Sequence, residues 1–345
     1  MISGSRLASS IPVKGPAGAR APVDAGELSS GELSSTVIED AAIQAALQPD
    51  FSMQCYQLSP GRQVARMDRL GLGRQQIVCE RQDAAVQKLG ATPANLCTIS
   101  HCTPDPAFRF SDRGASGTDT LFFMPENTEF DLYVPTGART FYISFDQDAF
   151  LRGARALDPP GWERPPRRLT PFCLCEPTVL RQAVDLWLET AHASAARGEA
   201  LDTDVMRGIV LQSVLGIVTA ATAHDGPQPR PPSRARALRI CQMSRDFVDA
   251  RIDAGALPTV VDICASIGVS ERALQYAFRE YVGMSPVAYL RLCRLNRVRA
   301  ALLAASPEET TVTQVAMQFG FLHLGRFAGD YKRLFEQAPS ATLAS

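Results

Sequence analysis

Residues 259–337 constrain this chain more than any other stretch, because the same local plan occurs in them twice. In the first copy Val260, Ile263 and Ile267 recur at helical spacing, with the small Ala265 where a second helix would cross closely. Gly268 permits the left-handed backbone that stops a helix. Ser270 is a good N-cap for the next one, which turns Leu274, Phe278 and Tyr281 inward. In the second copy Ala316 and Gly320 occupy nearly matching places about fifty residues later, and residues 323–335 form the second helix of the pair. Between the copies, Ser285 caps and Pro286 takes the first position of a helix that runs to about Ala304. Its 19 residues span roughly 28 Å at ~1.5 Å each, approaching the ~34 Å between successive major-groove faces of B-DNA. Two reading helices on such a rod can enter adjacent grooves on one side of a duplex.

The outward faces of the two reading helices differ. Arg272, Gln275 and Tyr276 remain outside the first, and Arg and Gln can both bond base edges bidentately, so these three are the expected base readers. In the second, His323, Leu324 and Arg326 face out near the start, but Gly325 and Gly329 supply no side chain. That unit is expected to read sequence more loosely. Arg279, Arg294, Lys332 and Arg333 are candidates for phosphate contacts, with internal ion pairs the alternative for Arg279 and Arg294. Phe327, Tyr331 and Phe335 are expected in the core.

These residues carry a resemblance. Leu274 with Phe278, the run from Gly283 to Leu290, Arg294 with Leu295, and Ala316, Gly320, Phe321, Phe327, Tyr331, Lys332 and Phe335 resemble the DNA-binding domain of the AraC/XylS family of bacterial transcription regulators. The resemblance implies a sequence-specific regulator with double-stranded DNA and RNA polymerase as partners, and an effector-responsive activator of a catabolic or metabolic operon. A repressor, a ligand-independent DNA-binding protein and an enzyme fused to a DNA-binding module are the alternatives.

Charge placement agrees. Residues 1–232 carry 21 basic and 26 acidic side chains; residues 233–345 carry 14 and 10. The positive part is the one with the repeated units, as a nucleic-acid partner requires. Nine scattered cysteines, an odd number in a long chain, read as buried thiols in a reducing cytoplasm rather than a disulfide framework. Cys173 and Cys175 could pair on a metal, but no second pair or nearby His completes a zinc set. No cofactor, metal or catalytic residue is expected. Residues 1–35, rich in Ser, Gly, Ala and Pro, read as a disordered tail rather than a secretory signal. The most apolar run, residues 208–223, is too short for a membrane span.

Upstream, the period changes. Residues 36–47 are expected to be a short helix. Residues 51–58, 62–70, 74–80, 95–101, 119–124, 129–134 and 139–145 read as short strands parted by Gly, Pro, Asn and Asp, which argues for a sandwich or a small barrel. Gln57 to Gly61, Phe123 to Glu126 and Phe130 to Pro135 resemble the sensor domain of the branch of the same family that includes the ethanolamine-utilisation regulators, which implies a cupin-like β-barrel. The resemblance carries no effector across, so the small-molecule ligand stays unknown. His101 is the one histidine of this region and reads as a strand-end or core-edge residue; a metal-dependent oxygenase would lack its ligands. Phe51, Phe122, Phe130 and Phe141 fill a core or line a pocket.

After a helix at 146–154, residues 155–175 read as a crossing loop. Two amphipathic helices at 176–196 and 202–223 follow, suited to homodimer contact or to packing on the barrel. The expected organisation is therefore α+β: a tail at 1–35, a β-rich effector-sensing domain at 36–175, a helical pair at 176–225, a Pro-rich linker at 226–233, and a DNA-binding domain at 234–345 with helix-turn-helix units at 259–281 and 311–335. Arg234, Arg236 and Arg239 at the start of the last domain either meet phosphates or form a solvated face.

Overall fold

The computed structural model describes residues 31–114, 120–173, 177–223 and 232–345. Most of the expected tail, the proline-rich linker and Cys175 lie outside the described residues. The chain enters through β1 (Leu33–Ile38) and α1 (Ala41–Ala46). Then come β2 (Ser52–Gln57), β3 (Ala65–Leu72), β4 (Gln75–Gln82), β5 (Val86–Ala91), β6 (Leu96–Cys102), β7 (Arg109–Phe110), β8 (Arg113–Gly114), β9 (Thr120–Met124), β10 (Glu129–Val134) and β11 (Arg139–Asp146). The segment α2 (Gln147–Leu157), α3 (Pro159–Trp162), β12 (Thr170–Cys173), α4 (Pro177–Ala196), α5 (Thr203–Ala220) and β13 (Thr222–Ala223) follows. The rest is helical: α6 (Pro232–Asp253), α7 (Val260–Ile267), α8 (Glu271–Tyr281), α9 (Pro286–Ala304), α10 (Val312–Gln318), α11 (Leu324–Phe335) and α12 (Pro339–Leu343).

The α+β division is as expected, but the barrel is open. Its strands form two separate antiparallel sheets, one ordered β1-β3-β4-β11-β6-β9-β12-β13 and the other β2-β5-β10-β7-β8. The larger sheet is buried on both faces. Ile77, Ile99, Leu121, Phe123 and Ile143 turn toward α2, α4 and α5; Val78, Phe122, Met124 and Tyr142 turn toward the smaller sheet. Strand β9 accordingly reads as a nearly continuous apolar run, whereas β3, β4, β6 and β11 carry polar side chains among their apolar ones. The helix α5 is apolar and long enough to cross a bilayer by composition, yet Met206, Val210, Val214, Leu215 and Val218 pack it into this core.

The smaller sheet is also used on both faces. Phe110, Phe130 and Cys55 face the inter-sheet core, while Tyr56, Leu89 and Tyr133 join a core with α6, α8 and α9. Strand β5 escaped the sequence reading because its centre is polar on both sides. Lys88 points between the sheets, where its ammonium donates to Glu80. Gln87 points to the helices and accepts from the Tyr289 hydroxyl at 2.7 Å.

Three further expectations are corrected. Residues 33–38 are a strand paired with β3, not the start of a helix or the end of a tail. The helix begins only after Asp40, whose carboxylate accepts from the amides of Ala42 and Ile43; an N-cap residue is itself extended, so nothing before it belongs to the helix. Residues 170–173, expected in a crossing loop, add to the larger sheet beside β9.

Asp40 also receives Arg299 of α9, with Nε donating to Oδ2 at 2.6 Å, and both side chains are buried. Removing one partner strands a buried charge. Arg299→Met should therefore destabilise the chain by about 3–5 kcal/mol in chemical denaturation. Arg62→Met, at an exposed pair with Glu39, should change stability by less than about 1 kcal/mol. Equal small effects would refute a structural role for the buried pair.

Candidate nucleic-acid interface

Each reading helix is built from its own local signals. Thr259 and Asp262 form a reciprocal capping box at the start of α7. The backbone amide of Thr259, then its hydroxyl, hold the exposed Asp262 carboxyl below the usual carboxylate range. The helix ends at Gly268 with φ +67°, where a side chain would be strained. Two residues on, the Ser270 hydroxyl accepts from the Ala273 amide at 3.2 Å and starts α8. Leu274, Ala277, Phe278 and Tyr281 are buried, leaving Arg272, Tyr276 and Arg279 exposed and Gln275 half-buried.

The second unit repeats this with Thr311 and Gln314 as the capping box of α10 and Gly320 at φ +78° in the turn. A Cβ on Gly320 would collide with the side chain of Leu257, in the loop before α7, so this glycine also lets the two units approach. Helix α11 buries Phe327, Tyr331, Leu334 and Phe335 and exposes His323, Arg326, Lys332 and Arg333, with Leu324 half-buried.

The cations of these faces are placed differently. Among the described residues, Arg272, Arg279, Arg326 and Lys332 form no ion pair, so their charge is available to a partner. Arg333 bonds Asp330 at 3.0 Å, and Asp330 also holds Arg291 of α9 at 2.6 Å. Arg294 is half-buried, its guanidinium 5.2 Å from the Phe321 ring centre, and burial followed by the nearby Arg291 lowers its proton affinity from the usual arginine range. Arg236 and Arg239 on α6 are exposed. Leu322, 71% exposed beside the start of α11, was not anticipated; the only signal was its position directly after the Gly320–Phe321 turn.

Residues 263–345 match a family model described as a helix-turn-helix domain, HTH_18. The chain is 38% identical over 104 residues to a probable thc operon regulatory protein of Rhodococcus erythropolis, covering 30% of this chain and 31% of that protein. It is 40% identical over 75 residues to a XylDLEGF operon transcriptional activator of Pseudomonas putida, covering 22% and 23%. A crystallised probable AraC family transcriptional regulator from Rhodopseudomonas palustris CGA009 is 33% identical over 31% of this chain and 95% of its own, with a TM-score of 0.28. This chain belongs to the AraC/XylS family. The chain spans less than a third of the length of these two curated relatives. Among the described residues, no group of three His, Cys, Asp or Glu side chains is placed to hold a metal.

The cap on the first reading helix is a single side chain. Ser270→Ala should lower stability by about 1 kcal/mol in thermal unfolding, and Ser270→Asp should restore most of it by keeping an acceptor at the same position. A neutral alanine variant would show that packing alone sets the start of α8.

Proposed function

We propose that this chain is a one-component transcription regulator in which residues 234–345 bind double-stranded DNA and residues 36–175 sense a small-molecule effector. The observation that carries the reading is the pair of capped helix-turn-helix units whose outward faces offer unpaired cations, while Phe278, Tyr281, Phe327, Tyr331 and Phe335 of the same helices are buried and Tyr276 stands outside. Arg272, Gln275 and Tyr276 read bases in one major groove. His323, Leu324 and Arg326 enter a second groove with less discrimination, since Gly325 and Gly329 leave gaps in that face. Arg279, Arg294, Lys332 and Arg333 hold phosphates. Activation through RNA polymerase and dimer contact through α4 and α5 complete the proposal, in the cytoplasm where the DNA lies.

A reactive-thiol enzyme is disfavoured by the surroundings of the cysteines. Burial pushes the Cys55, Cys102, Cys241 and Cys293 thiols up to about 12 and raises Cys79 and Cys97 as well, so these thiols are not nucleophiles at neutral pH.

Anisotropy titrations on a selected operator and on scrambled DNA test the assignments. Arg272→Ala and Gln275→Ala should each cost about 1–3 kcal/mol at one or two base pairs, and Lys332→Ala should weaken all sequences alike and reduce the salt slope by about 1. Arg326→Ala should change sequence choice less than Arg272→Ala. Equal losses on specific and scrambled DNA for Arg272→Ala would remove it from base reading.

A further inference from the structure

Between the two sheets lies a cavity of about 50 Å³ with two unlike walls. One is aromatic. Phe51, Phe108, Phe110 and Phe130 line it, mostly meeting edge to face with ring centres 6.2–6.4 Å apart. The other is the inner face of β4, β6 and β11, and it is polar. Thr98 is fully buried and its hydroxyl has no partner; the Tyr142 hydroxyl is likewise buried and unpartnered. Native proteins leave few such groups, and each costs about 1–3 kcal/mol. Two of them lining one cavity are a cost that a ligand would offset.

Charge selects the ligand further. Glu80 and Lys88 both line the space and neutralise each other. The Glu80 carboxylate also accepts from Gln44 and Gln48 at 3.0 Å each and from Thr140 at 3.4 Å. An ionic ligand would bring an uncompensated charge into this site, which burial penalises heavily.

We propose that this cavity binds a small uncharged aromatic molecule carrying a hydroxyl at one edge, the ring among the phenylalanines and the hydroxyl on Thr98 and Tyr142. The proposal rests on the sensing role assigned above and names its chemistry. An apolar cavity that admits benzene measures about 150 Å³, so a ring enters only as the walls part. The wall formed by β5 and β10 carries Lys88 on the cavity side. On its other side Gln87 and Asp131 bond to each other at 2.6 Å, Gln87 to Tyr289 of α9, and Asp131 pairs with Arg245 of α6. A shift of this wall is therefore passed to the helices.

The test uses the full chain and three molecules with one ring and different charge: benzyl alcohol, benzoate and benzylammonium. Calorimetry should show one benzyl alcohol bound per chain, with both ions at least about tenfold weaker. Thr98→Val and Tyr142→Phe each remove an unpartnered hydroxyl at nearly constant volume. Both should keep or raise the melting temperature of the ligand-free chain, since the penalty of the unpartnered hydroxyl is removed, and weaken benzyl alcohol about three- to tenfold. Benzoate binding as tightly as the alcohol, no binding by any of the three, or unchanged affinity in both variants would overturn the proposal. DNA affinity of the ligand-free chain is measured alongside. If DNA binds and the ring compounds do not, the cavity assignment fails alone; if DNA does not bind, the regulator reading fails.

Discussion

The backbone of Gln57 is where the two parts of the molecule are joined most directly. Strand β2 is the edge of the smaller sheet, and an edge presents unpaired amides and carbonyls. At Gln57 the side-chain amide of Asn296 satisfies both: its oxygen accepts from the Gln57 amide at 2.8 Å, and its nitrogen donates to the Gln57 carbonyl at 2.9 Å. One asparagine on α9 thus stands in for a neighbouring strand. The Gln57 side chain then donates to the Leu334 carbonyl of α11 at 3.0 Å, and Gly61 donates its amide to the same carbonyl. The rod and the second reading helix are both referenced to one residue of the N-terminal half.

The same sheet face makes other polar contacts with the helices. Asp131 pairs with Arg245, Gln87 joins Asp131 to the Tyr289 hydroxyl, and Arg109 lies between the rings of Tyr133 and Tyr281 at 4.3 and 5.2 Å from their centres. Burial pushes the Tyr281 and Tyr289 phenols well above their ordinary range, so both stay protonated and can donate. A buried ion pair is weak evidence for stability, because desolvation offsets much of the attraction. What such a network does supply is register. Apolar residues alone, such as Leu58, Val282 and Leu290, would let the helices slide across the sheet; directional bonds do not.

The C-terminal helices were legible because their limits are local. Thr259, Gly268, Ser270, Ser285, Pro286 and Thr311 each act within a few residues, and the apolar spacing between them reports which face is buried. The outward placement of Arg272, Tyr276 and Arg326 followed from that spacing. The sheets were less legible because their pairings are distant. Strand β2 pairs with β5, and β11 lies between β4 and β6, so an open pair of sheets and a closed barrel share one strand list. Strand β5 was lost outright: alternation cannot reveal a strand whose Lys88 and Gln87 are both polar and both buried by partners elsewhere in the chain. For the same reason Gln57 and Asn296 carried no signal, since a polar residue reads as surface until its partner is known.

The two reading helices therefore differ in what holds them. Helix α8 starts on its own serine cap and runs into the core through Phe278 and Tyr281. Helix α11 has no side-chain cap at His323, and it ends at Glu336 with φ +52°, a left-handed backbone that a non-glycine residue adopts at a cost of about 1 kcal/mol. Near that strained end, the exposed Leu334 carbonyl of an isolated helix would look to water. Here Gly61 and Gln57 occupy it. The first unit is specified by its own sequence, whereas the second is completed by the N-terminal half. A change in the position of β2 would reach α11 through the Leu334 carbonyl, whereas α8 meets the smaller sheet through Tyr281, whose hydroxyl donates to the Ser111 carbonyl and whose ring faces Arg109.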